Sequence, residues 1–111
     1  MVRNVLLFKS AFVDFYRSQE PKVQQKIEFV LDLIRYEQAV PVKFFKRLHN
    51  THGLYEVRVI TPHKNIRILG FIDEGNLVVL TNSFVKKTQK TPKREIEKAK
   101  RLRDEYYTLK I

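Results

Sequence analysis

Residues 54–85 read LYEVRVITPHKNIRILGFIDEGNLVVLTNSFV. Three apolar, β-branched runs (54–60, 65–72 and 76–85) are separated by TPHK and DEG, segments rich in turn-forming residues. That spacing predicts a meander of three antiparallel strands. A four-residue turn at 61–64 would pair Ile60 with Asn65 and Arg58 with Arg67. Val57, Val59, Ile66 and Ile68 then share one apolar face, and the two arginines stand together on the other. A five-residue loop would flip one strand and carry an arginine into the core, where burial of its charge is very costly. The apolar pattern therefore selects the register.

The flanking segments supply the layers. NVLLFK (4–9) reads as a strand. Ser10 is placed to cap a short helix ending near Gln19, with Phe12, Phe15 and Tyr16 on one side. Pro21 opens a second helix, 21–38, whose Val23, Ile27, Val30, Leu31 and Ile34 form a stripe at helical spacing. VKFFKRLHNTHG (42–53) reads as a basic, aromatic connector. A last helix is expected from an N-cap at Thr91 and Pro92 at N1 to about Thr108, with Ile96, Ala99, Leu102 and Tyr106 on one side. The expected architecture is α+β in a single domain, 1–111. An N-terminal strand and the meander form a twisted, mostly antiparallel sheet, and two N-terminal helices and a C-terminal helix pack on one of its faces.

The charge suggests a partner. The 111 residues carry 22 Lys and Arg against 12 Asp and Glu, a net charge of +10 that favours polyanions such as nucleic acid. Between Lys86 and Arg103 nine basic residues face two acidic ones, so this segment holds most of the net charge. Arg58 and Arg67, joined by Lys86 and Lys87 at the end of the last strand, form a candidate anion site, because a guanidinium matches a phosphate bidentately. The competing reading is that Glu56 neutralises the arginines. Lys43, Lys46 and Arg47 in KFFKR, with Lys90, Lys93, Arg94 and Lys98, are candidates for tracking a nucleic-acid backbone.

Other chemistries find little support. There are no cysteines, which excludes disulfides and thiolate metal sites and fits a cytoplasmic location. The start, MVRNVLLFKS, lacks a small-residue cleavage site and is not read as a signal peptide. No apolar run approaches a membrane span, and no P-loop, dinucleotide fingerprint, HExxH or nucleophile elbow is present. His49 and His52 lack a third metal ligand at a suitable spacing. RNA cleavage by its own 2′-OH needs charge stabilisation and proton transfers but no metal, so it stays open.

Three stretches carry a family resemblance: Tyr55-Glu56-Val57-Arg58, Arg67-Ile68, and FVKKTQKTPKREIEKA from Phe84 through Ala99. Together they resemble the RelE/HigB superfamily of bacterial toxins, in particular its HigB-like, phage-derived branch. The resemblance implies a RelE-like fold and a cytoplasmic endoribonuclease, without metal or cofactor, that cuts mRNA in the ribosomal A site. It implies a helix-turn-helix antitoxin, the 70S ribosome and mRNA as partners, operator DNA only through the antitoxin, and no membrane. It assigns the scissile phosphate to Arg58, Arg67, Lys86 and Lys87. The chain departs from the family pattern in carrying Glu56 where one branch has lysine, and in lacking a tyrosine in TQKTP. Tyr106 and Tyr107 lie too far along to replace it, so Glu56, His49 or a lysine of lowered pKa is left for proton transfer. The alternatives are a ParE-like topoisomerase poison and a nucleic-acid-binding module without catalysis.

Overall fold

Ile60 pairs with Asn65 and Arg58 with Arg67 in a computed structural model that describes residues 1–110. The strands of the meander are Leu54–Ile60 (β3), Asn65–Asp73 (β4) and Leu77–Val85 (β5), preceded by Asn4–Leu7 (β1) and Phe45–Arg47 (β2). The helices are Ala11–Arg17 (α1), Pro21–Tyr36 (α2) and Lys93–Lys110 (α3). The sheet order is β1-β5-β4-β3-β2. All pairs are antiparallel except β1 with β5. α1 and α2 carry the chain from β1 across to β2 at the opposite edge, so β1 and β5 are far apart in sequence and can pair in parallel, which a hairpin cannot. Among the described residues no helix is long and apolar enough to cross a membrane.

Two features depart from expectation. The stretch read as a connector contributes β2, a three-residue edge strand on β3. Three residues are too few for alternation to announce a strand. The helices also divide between the two faces. α1 and α2 cover Val57, Val59, Ile66, Ile68, Val78 and Leu80, with Ile27, Val30 and Ile34 of α2 fully buried there. Each such side chain contributes about 1.5–3 kcal/mol. α3 lies on the opposite face, where Ala99, Ile96 and Tyr106 pack on Leu54, Leu69, Phe71 and Val79. The reason is the apolar content of that second face: Leu54, Leu69 and Phe71 are 2% exposed or less and need a cover of their own.

A β-bulge sets where α3 begins. Ile68 pairs with Ser83 but Gly70 with Leu80, so Thr81 and Asn82 together oppose Leu69. Thr81 donates to the Leu69 carbonyl at 3.0 Å, and Asn82 Nδ2 donates to the Glu95 carbonyl and to Glu95 Oε1, both at 3.1 Å. The first turn of α3 is thereby fixed to β5. Gly70 permits the close approach of the two strands, since a Cβ there would run into the Val79 carbonyl.

Candidate nucleic-acid site

α3 covers only the apolar half of its face. Beyond the helix start, the same face carries Lys46 of β2, Glu56 and Arg58 of β3, Arg67 of β4 and Lys86 after β5. Strand alternation and register place these side chains together: Lys46 pairs with Glu56, Arg58 with Arg67, and the Lys86 N–H donates to the Asn65 carbonyl. Arg67, Lys86, Lys87, Asn65, Thr88 and Gln89 line a shallow groove of about 400 Å³.

Glu56 sits at the centre, 1% exposed. Arg58 Nε donates to its Oε1 at 2.9 Å, and Arg67 Nε lies 3.2 Å from the same oxygen, charge-paired but not aligned as a hydrogen bond. Thr91 Oγ1 donates to Oε2 at 2.6 Å. The arginines are therefore not left unneutralised, contrary to expectation: one carboxylate is shared between them. Among the described residues a single negative charge faces Arg58, Arg67 and Lys86, so the cluster is net positive and open to a further anion.

The electrostatics follow from this crowding. Burial alone would raise the Glu56 carboxyl. The Thr91 and Arg58 hydrogen bonds and the Arg67 and Lys86 charges outweigh that effect and hold it below its ordinary value. For Lys86, burial is the first cause of a lowered pKa, and the charges of Arg67, Arg58 and Lys46 add to it against the opposing pull of Glu56. Arg67 is lowered by burial and by Arg58, with Glu56 opposing; a guanidinium so shifted is still a cation at any physiological pH.

The profile of the family described as phage-derived protein Gp49-like matches residues 14–104. The chain belongs to the phage-derived Gp49-like family. The Gp49-like chain matches no curated protein sequence. Its fold is similar to that of a chain in the crystal structure of the archaeal RelE–RelB complex from Pyrococcus horikoshii OT3. The TM-score is 0.58 at 17% sequence identity, over 77% of this chain and 96% of the other.

The Gp49-like fold sorts the sequence candidates. It gathers Glu56, Arg58, Arg67, Lys86 and Lys46 into one cluster, with Lys87 and Lys90 exposed on the loop that closes it. Lys93, Arg94 and Lys98 are exposed on the start of α3. Arg47 points to the opposite face from Lys46, and His49 lies beyond it with His52 and Gly53 in a separate groove. The structure does not bring either to Glu56. Lys43 borders a third groove with Lys26, Phe44, Arg58 and Ile60.

Two expectations about single residues are corrected. Arg67 is 8% exposed, so it does not stand outside the packed interior. Thr91 does not cap α3: its hydroxyl is spent on Glu56, and the Pro92 carbonyl accepts the first bonds, from Glu95 and Ile96. Thr91 is also the member of the cluster that sequence reading missed. No local signal could reveal it, because its partner is 35 residues away. Tyr106 and Tyr107 hold Asp73 at the other end of α3, with Tyr106 Oη donating to Asp73 Oδ2 at 2.7 Å. At 1.5 Å per residue they lie about 20 Å along the helix from the cluster.

Proposed function

We propose that this protein is the toxin of a toxin–antitoxin pair, of the HigB-like branch, and an endoribonuclease acting on mRNA at the ribosome. The observation that carries the reading is a buried carboxylate holding two guanidiniums and outnumbered by them, beside a lysine whose ammonium is easier to deprotonate than usual. The RelE-like fold and the stretch from Phe84 through Ala99 support it.

In this reading the RNA lies in the groove with its scissile phosphate on Arg58 and Arg67. The 2′-oxygen attacks the adjacent phosphorus as its hydroxyl proton passes to solvent water, the P–O5′ bond breaks, and the products are a 2′,3′-cyclic phosphate and a 5′-hydroxyl. Charge on the non-bridging oxygens grows in the pentacoordinate state, and the arginines are aimed at it before it forms. Glu56 is a positioning residue: accepting from Thr91 and Arg58 makes it a weak base, but it fixes the Arg58 guanidinium and holds Arg67 beside it by charge. Lys86 delivers the proton to the departing 5′-oxygen. Lys87, Lys90, Lys93, Arg94 and Lys98 contact messenger and ribosomal RNA backbones, and a helix-turn-helix antitoxin silences the protein in the cytoplasm.

Primer extension on mRNA bound to programmed 70S ribosomes tests this. Cuts confined to the A-site codon, lost in Arg58→Ala and in Lys86→Met, are expected. An intact message after long incubation with active ribosomes would refute the reading.

A further inference from the structure

The cluster does not end at Arg58. Arg58 also lines the neighbouring groove of about 220 Å³ formed with Lys26, Lys43, Phe44 and Ile60. Lys26 and Ile60 in turn line a larger groove, of about 740 Å³, between the start of α2 and the β3–β4 turn, where Lys22, His63 and Lys64 also stand. The two grooves share Lys26 and Ile60, and Arg58, paired with Arg67 in the sheet, joins them to the cluster, so the path runs from the arginines around the end of β3 to the first turns of α2.

The charge along this path is one-sided. Lys22, Lys26, Lys43 and Lys64 face a single acid, Glu20, and none of the four lysines lies in an ion pair among the described residues. Lys64 is oriented by donating to Gln19 Oε1 at 2.9 Å. The floor is apolar where the path bends: Ile60 is 56% exposed, and the Phe44 ring lies under the Lys43 ammonium at 5.1 Å. Spaced cations along a half-buried ring and an exposed aliphatic side chain suit a single strand, with phosphates on the lysines and a base against the floor.

We propose that this path is a second binding segment for single-stranded RNA, holding nucleotides that flank the scissile phosphate. The inference rests on the endoribonuclease reading, since that reading places the strand on Arg58 and Arg67. It adds Lys22, Lys26 and Lys64, which no catalytic argument requires. An acidic protein segment could meet the same charges. RNA is favoured because the path is continuous with the arginine cluster and has a surface for stacking.

The test uses fluorescence anisotropy with a three-nucleotide and a twelve-nucleotide oligouridylate, titrated at several salt concentrations against the wild type and Lys22→Gln/Lys26→Gln. The trinucleotide reports the cluster, and the longer strand reports cluster and path together. For the longer strand, the variant should lower the slope of log affinity against log salt by about 1.4, at about 0.7 for each lost phosphate contact. Trinucleotide binding should be unchanged. An unchanged slope with intact trinucleotide binding would overturn the path alone. A wild type that binds neither strand would overturn the path, whereas the endoribonuclease reading fails separately, on an intact message in the ribosome assay. A polyglutamate peptide bound as tightly as the longer strand, with the same loss in the variant, would reassign the path to a protein partner.

Discussion

Thr91 donates its hydroxyl to Glu56 at 2.6 Å, joining the loop that precedes α3 to the third residue of β3. The contact does two things at once. It satisfies the Glu56 oxygen that the arginines leave free, and it brings the 86–90 loop, with Lys86 and Lys87, over Arg67. A basic tail of ordinary appearance in the sequence thereby becomes one wall of a shallow groove beside Arg67.

Glu56→Gln keeps the shape and removes the charge. Arg58 and Arg67 would then face each other across β3 and β4 with no negative charge between them. The expected loss is about 2–3 kcal/mol, less than for a fully buried pair because Arg58 keeps part of its side chain in solvent. Urea unfolding measures it; a change below about 0.5 kcal/mol, the size of an ordinary surface substitution, would mean that the carboxylate does not hold the pair.

Arg67→Ala should lower ribosome-dependent cleavage at least about 100-fold, the usual size of losing one aligned donor to a developing oxyanion. Because Arg67 is nearly buried, the variant should also unfold more readily than the wild type. Arg67→Lys keeps the charge but loses the fork, and should restore stability more fully than cleavage. Equal recovery of both would make charge alone sufficient.

Acid should destabilise the protein in a defined window. The folded-state pKa of Glu56 lies below its ordinary value of 4.5, so its stabilising contribution is complete above that pH. It is lost as pH falls through the folded value. Asp73, held down by Lys110 and Tyr106, adds a similar loss below 3.8. Thermal midpoints should thus be level from pH 7 to 5.5 and fall below 4.5, with a shallower fall in Glu56→Gln. Parallel curves for the two proteins would remove Glu56 as the cause.

Gly70→Ala should cost about 3 kcal/mol or more, because the new Cβ would meet backbone, the Val79 carbonyl, which has no rotamer to yield. Gly75→Ala is the control. Its φ of +68° costs only about 1–2 kcal/mol, and the space beside it is open. Urea midpoints compare the two; similar values would mean that β4 and β5 can separate at the bulge.

The meander, its register and the α2 stripe were legible because each rests on a local rule. Period-two alternation and a four-residue turn leave one pairing that keeps Arg58 and Arg67 out of the α1–α2 core. The stripe from Val23 to Ile34 is buried throughout for the same reason. The arginine pair could be foreseen as a pair, since register alone sets two side chains opposite each other.

Other features depend on contacts between distant segments, and linear patterns are silent about those. Whether α3 lay on the same face as α2 depended on the uncovered Leu54, Leu69 and Phe71, not on the stripe of α3 itself. The parallel docking of β1, the short β2 and the bulge opposite Leu69 arise from packing among strands far apart in the chain. Local chemistry prescribed which residues are charged, which are apolar and how neighbouring strands match. Three-dimensional packing settled which charges meet: it set Glu56 between two arginines and under Thr91, because a buried carboxylate must find donors wherever the fold supplies them.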